Sequence, residues 1–98
     1  MTIEKTERIN NLLNVYKELL TIKQQEVMEM YFFYDLSLAE IAENSNTTRS
    51  AVFDLIKRTS KMLETYETKL NLLEKKDKIL KLLENVDESI KLKIEEIL

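Results

Sequence analysis

The 98-residue chain contains no glycine, proline, cysteine, histidine or tryptophan. Without glycine and proline it lacks the residues that punctuate hairpins and strand turns, and a composition rich in Leu, Glu, Lys and Ile is left to form helices. Without cysteine there is neither a disulfide framework nor a thiolate metal site, and without histidine the commonest metal ligand and general base is gone. The sequence therefore predicts an all-α protein that is not an enzyme, with no catalytic residues, no cofactor and no metal. The amino terminus, MTIEKTERINNLL, has no apolar run long enough for a signal peptide or a membrane span, which predicts a cytoplasmic protein without one. The formal net charge of −3 counts against indiscriminate nucleic-acid binding but does not exclude a local basic face.

What is present is concentrated in DLSLAEIAENSNTTRSAVFDLIKRT, Asp35 to Thr59. Ser37 and Glu40 have the spacing of a capping box, in which each side chain accepts from the other's backbone amide. Leu38, Ile41 and Ala42 then form the narrow apolar stripe of a short helix. Asn44, Ser45 and Asn46 interrupt it, and Asn46 is one of the few residues with a Cβ that tolerates the left-handed conformation of a tight helix exit. Thr48, or Thr47, caps a second helix whose inward stripe is Val52, Leu55, Ile56, Thr59 and Leu63. That spacing describes a helix-turn-helix, although a plain helical hairpin inside a bundle meets many of the same requirements. The candidate nucleic-acid contacts on the open side are Thr48, Arg49, Ser50, Phe53, Lys57, Arg58 and Lys61. Between Arg49 and Lys61 four basic residues meet one acid, Asp54, so the segment is locally positive.

The remainder reads as scaffold. A first helix beginning after Thr2 or Thr6 carries Ile9, Leu12, Leu13, Tyr16, Leu19 and Leu20 on one face. A second capping box, Thr21 with Gln24, starts a helix running roughly from Ile22 to Tyr34, with Val27, Met28, Met30, Tyr31, Phe32 and Phe33. Its aromatic side chains line the core edge or face a partner. The helix from Thr48 continues through Met62, Leu63, Tyr66 and Leu70, past the length a groove-reading helix needs, so its extension has to be buried against the carboxy-terminal segment or a second copy. Leu72, Leu73, Ile79, Leu80, Leu82 and Leu83 mark a further amphipathic helix ending near Asn85. Asp87 caps a last one with Ile90, Ile94, Ile97 and Leu98. This gives a helix-turn-helix domain over residues 1–70 and carboxy-terminal amphipathic helices over 71–98, packing on the domain or on a second copy.

The run from Leu19 to Leu72, with its segments LLTIKQ, DLSLAEIAE, IKRT and LETYETKL, resembles the YlxM family of small bacterial helix-turn-helix proteins. The resemblance implies a fold similar to the fourth region of bacterial sigma factors: a helix-turn-helix bundle with a long recognition helix starting at Thr48 and a carboxy-terminal helical extension. It also implies an accessory or regulatory role in the signal recognition particle pathway of protein targeting. The implied partners are nucleic acid, either the RNA of that particle or DNA, and the pathway's GTPase, with a homodimer as a further expectation. Two other functions fit the same residues, a DNA-binding transcriptional regulator and a protein-interaction module that binds no nucleic acid. Ser45 and Asn46 stand where sigma-like turns commonly have an apolar residue and glycine, which predicts a looser turn here.

Overall fold

A computed structural model describes residues 2–98. Among these residues six α-helices follow one another: α1 Ile3–Tyr16, α2 Ile22–Phe32, α3 Leu38–Asn44, α4 Arg49–Leu70, α5 Leu72–Leu82 and α6 Glu88–Ile97, with single 3₁₀ turns at Lys17–Leu19 and Leu83–Asn85. No strand occurs among the described residues. The chain is all-α, as the missing glycine and proline predict.

Helix boundaries fall where the side chains can satisfy the first free amides. Thr2, Thr21, Ser37 and Thr48 each accept from the amide three residues on, at 3.1 Å. At Thr21 and Ser37 the box is completed, with Gln24 Oε1 accepting from the Thr21 amide at 2.9 Å and Glu40 Oε1 from the Ser37 amide at 3.1 Å. The Ser37 contact holds the Glu40 carboxyl locally, whereas the Gln24 amide, besides its Thr21 contact, donates to the Met62 sulfur on α4 at 3.8 Å.

One core serves α1 to α4. Leu12, Tyr16, Val27, Met28, Ile41, Val52 and Leu63 are fully enclosed, and α3 packs against α4 while α1 and α2 close over the same helix. Two expectations shift. Leu19 is exposed, because the chain tightens into a 3₁₀ turn over Lys17–Leu19 and then extends at Leu20, so the hydrophobic phase moves on by one residue and Leu20 fills the core instead. The second helix ends at Phe32, two residues early, and Phe33 and Tyr34 are left in solvent.

At about 1.5 Å per residue the 22 residues of α4 span roughly 33 Å, longer than the layer of helices it supports. Its far end is held by a buried carboxylate. Glu67 accepts hydrogen bonds from the Tyr16 hydroxyl at 2.6 Å, the Leu73 amide at 2.9 Å and the Glu74 amide at 3.0 Å, while the Tyr16 oxygen accepts from the Leu72 amide at 3.1 Å. Asn71, in the left-handed conformation with φ 55°, is the single residue between α4 and α5. Glu67 thus caps α5 from the preceding helix, and Leu73 is carried into the core. Arg8 adds a two-pronged ion pair to Glu64, at 3.0 and 2.9 Å, between α1 and α4. Beyond α5 the anchoring fades. α6 buries no residue, and the molecule measures 50 × 25 × 25 Å with a radius of gyration of 16.0 Å, against about 12.5 Å for a compact domain of this length.

Candidate nucleic-acid interface

The turn between α3 and α4 sets the direction of the candidate face. Asn46 has φ 53°, the left-handed conformation expected of it. The Ser45 amide donates to the Ile41 carbonyl at 2.9 Å, the Asn46 amide to Glu43 at 3.4 Å and the Thr47 amide to Ala42 at 3.0 Å. The last two bonds are the paired closure of a Schellman motif, so the turn is closed and not looser. Asparagine supplies the backbone conformation that glycine supplies elsewhere, and the serine before it needs only an ordinary helix-end geometry. Thr48 then caps α4, and the alternative cap at Thr47 is not used.

Val52, Ile56, Thr59 and Leu63 face the core with Leu55 at its edge, and Thr48, Arg49, Ser50, Phe53, Lys57, Arg58 and Lys61 are all exposed. Helical spacing lines up Arg49, Phe53 and Lys57, with Ser50 and Lys61 beside them and Arg58 further round. The first turn of α4 carries no acid, unlike α1, α3, α5 and α6. Its basic side chain and the positive end of the helix dipole therefore act in the same sense. Arg58 differs from the rest of the set. Its guanidinium pairs with Asp54 at 2.8 Å, so it reaches a phosphate only by giving up that partner. Among the described residues no ion pair engages Arg49, Lys57 or Lys61.

Two further lysines flank this face. Lys5 of α1 lines the same hollow as Phe53, Lys57 and Ser60, and Lys23 at the start of α2 lines a second hollow with Arg58 and Lys61. Neither had any signal in the linear pattern, because each lies far from α4 in sequence and is brought there by packing. Thr59, which also lines the second hollow, has a buried hydroxyl without a hydrogen-bond partner.

No group of three or more acidic side chains able to hold a metal ion forms among the described residues. No helix among them is long and apolar enough to cross a membrane. Exposed cations around a helix projecting from a closed turn can engage a polyanion, which is the chemistry this surface offers.

Comparison with known proteins agrees with this geometry. The profile of a family described as "Putative helix-turn-helix protein, YlxM / p13 like" matches residues 3–97. A UPF0122 protein of Clostridium novyi is 49% identical over 88 residues, covering 90% of this chain and 76% of its own. One from an Exiguobacterium species is 55% identical over 75 residues, with 76% and 70% covered. The UPF0122 protein YofM of Lactococcus lactis is 57% identical over 72 residues, with 74% and 65% covered. With α3, the Asn46 turn and α4 in the arrangement described, the chain belongs to the YlxM/p13-like family of helix-turn-helix proteins.

Proposed function

We propose that this protein is an accessory, regulatory component of the signal recognition particle pathway that binds nucleic acid through the exposed side of α4. The observation that carries the binding is the unpaired cationic row Arg49, Lys57 and Lys61 beside Phe53, on a helix whose opposite side is locked into the core. Thr48 and Ser50 add hydroxyl contacts at the start of the helix. Arg58 joins once Asp54 releases it, and Lys5 and Lys23 widen the footprint. The pathway itself rests on the family resemblance, as does a fold related to the fourth region of sigma factors.

The RNA of the particle is the preferred ligand. The deep, narrow major groove of an A-form helix does not admit α4, so the contacts fall on phosphates and on bases outside the duplex. One observation favours a second reading, a transcriptional regulator: α3, the closed turn and α4 form the unit that places a helix in the wide major groove of B-form DNA. We assign residues 1–70 to the helix-turn-helix domain and 71–98 to carboxy-terminal amphipathic helices that pack on it through Leu73, with exposed apolar side chains such as Leu82, Leu92 and Ile97 left for a second copy or a protein partner, the pathway's GTPase among them.

Pull-down of the tagged protein from an extract of its own bacterium, with and without ribonuclease, tests the proposal. Recovery of the particle's RNA, with the GTPase retained after ribonuclease treatment, is the expected result. Recovery of neither, together with tight binding to a duplex DNA site that the RNA fails to displace, refutes the pathway and leaves the regulator.

A further inference from the structure

Three adjoining hollows on the side of the molecule formed by α1 and α2 share their lining residues. The first contains Lys5, Tyr31, Phe53 and Lys57. The second contains Tyr31 again, with Asn10, Asn11 and Asp35. The third contains Asn10 and Asn11 again, with Asn14, Lys17, Phe33 and Tyr34. Their volumes are about 410, 590 and 390 Å³ and they lie open to solvent, so each offers a wall against which a flat ring can rest. Together they make one path leading from the candidate face of α4 to the carboxy-terminal end of α2. We propose that this path binds unpaired nucleotides, which rests on the nucleic-acid reading above and extends it to single-stranded segments.

The aromatic side chains supply the first argument. Phe33 is 69% exposed and Tyr34 63%, with their rings edge to face and centroids 5.0 Å apart. They are not on a loose end. Both amides donate to the Glu29 carbonyl at 2.9 Å, Asp35 takes the left-handed conformation, and the Leu36 amide reaches back to the Met30 carbonyl at 2.9 Å. Two large, mostly exposed rings carried on a fixed main chain contribute little to folding and offer faces on which bases stack. Tyr31 and Phe53 continue the series along the path.

The asparagines supply the second. Asn10, Asn11 and Asn14 sit within α1, where asparagine is a poorer helix former than the alanine or leucine an inert surface would accept. Asn10 is oriented by its amide nitrogen, which donates to the Phe32 carbonyl at 3.0 Å, and its oxygen remains an acceptor. Carboxamides carry the paired donor and acceptor that match base edges.

Charge distribution supplies the third. Cations stand at the two ends, Lys5 and Lys57 at one and Lys17, next to Glu29, at the other, whereas Glu7 and Asp35 stand between them. Such a middle section repels phosphates and accepts hydrogen bonds from exocyclic amino groups, so bases turn inward and the backbone outward. A base inside a duplex stack presents no face to these rings, which restricts the ligand to unpaired residues.

The test uses the full-length protein and fluorescent 12-nucleotide strands carrying 2-aminopurine, as RNA, as DNA and annealed to their complements. The account predicts quenching of 2-aminopurine on both single strands, and a loss of single-strand affinity of about tenfold or more in the variant carrying Phe33→Ala and Tyr34→Ala, with duplex affinity unchanged. Asn11→Ala weakens the single strands alone. Tighter binding of the RNA strand than the DNA strand identifies RNA as the source, and the reverse identifies DNA. Since these side chains are exposed, the Phe33→Ala and Tyr34→Ala variant keeps the parent's circular dichroism and melting temperature, and Asn11→Ala melts at or slightly above it because alanine is the better helix former. Duplex binding without single-strand binding, or single-strand binding that is indifferent to Phe33, Tyr34 and Asn11, overturns the path and leaves the α4 interface standing. Binding of no strand of any kind overturns the path, and absence of binding to the RNA of the particle as well overturns the α4 interface with it.

Discussion

Replacing Glu67 by glutamine exchanges one oxygen for an amino group in a site that offers only donors or a tightly engaged hydroxyl. The carboxylate accepts from the Tyr16 hydroxyl and from the amides of Leu73 and Glu74. An amide side chain can satisfy two of these at most, and it sets its own N–H against the third. Hydrogen bonds to a buried charged group are each worth about 1.5–3 kcal/mol, and a buried donor left unpaired costs a similar amount, so Glu67→Gln should destabilise the fold by roughly 2–3 kcal/mol. For a chain of this length that lowers the melting temperature by roughly 10–20 °C. The pH dependence gives an independent check. Burial pushes the Glu67 carboxyl up, but the hydrogen bonds from Tyr16, Leu73 and Glu74 outweigh it and hold the group below its ordinary value of 4.5. A carboxyl whose pKa is lower in the folded state contributes stability that is complete above that ordinary value and is lost as the pH falls through the folded one. The gap between parent and Glu67→Gln is therefore widest near neutrality and narrows on acidification below about pH 4.5. Glu64, also lowered by its hydrogen bonds from Arg8, feels the Glu67 charge as an opposing push upward, so removing that charge lowers it further and Glu64→Gln serves as the control for its share. Urea unfolding followed by circular dichroism from pH 7 to pH 3 measures both effects. A glutamine variant within about 0.5 kcal/mol of the parent at pH 7, or a gap that widens in acid, refutes this account of the α4–α5 junction.

Tyr16 extends the same reasoning to alkaline pH: burial, then the Glu67 hydrogen bond, raise its hydroxyl above the ordinary value of 10.0, so its contribution is complete below that value and is lost as the pH rises through the folded one. Tyr16→Phe removes this alkaline loss, and identical parent and variant profiles above pH 10 contradict it. At the turn, Asn46→Ala should cost about 1 kcal/mol in urea unfolding because alanine keeps the Cβ but lacks the short polar side chain that lets asparagine tolerate the left-handed conformation, while Asn46→Gly leaves stability close to the parent. Equal losses in both variants would mean that the asparagine side chain, not the backbone conformation, holds the turn. Thr59→Val removes a buried hydroxyl that has no partner and should raise stability by about 1 kcal/mol. A fall in melting temperature would reveal a hydrogen bond that the structure does not contain.

Much of the helix-turn-helix was legible because its determinants are local. Ser37 with Glu40, Thr21 with Gln24, and the caps Thr48 and Asp87 each act within a few residues, and Asn46 declares its backbone conformation by its side chain. The apolar stripe of α4 was legible for the same reason, since helical periodicity alone separates Val52, Ile56, Thr59 and Leu63 from the exposed row. What escaped the sequence depends on distant pairs. Glu67 looks like one more solvated glutamate until Tyr16 and the start of α5 close around it, and Lys5 and Lys23 look like scattered charges until α1 and α2 fold against α4. Leu19 was misplaced because a single 3₁₀ turn shifts the hydrophobic phase, and nothing in the residue types announces it. The asparagines of α1 carry no signal in the apolar periodicity, and only the packing of α2 against α1 sets them beside Phe33 and Tyr34.

The central claim is that the exposed row on α4 neutralises nucleic-acid phosphates. Fluorescence anisotropy with the RNA of the signal recognition particle, the proposed ligand, at a series of salt concentrations tests it most directly, comparing the parent with a triple variant carrying Arg49→Ala, Lys57→Ala and Lys61→Ala. Each phosphate contact contributes about 0.7 to 0.9 to the slope of log affinity against log salt, so the triple variant should bind more weakly with a slope shallower by roughly 2–3. An unchanged slope and affinity in a triple variant that melts at the parent's temperature would contradict the account.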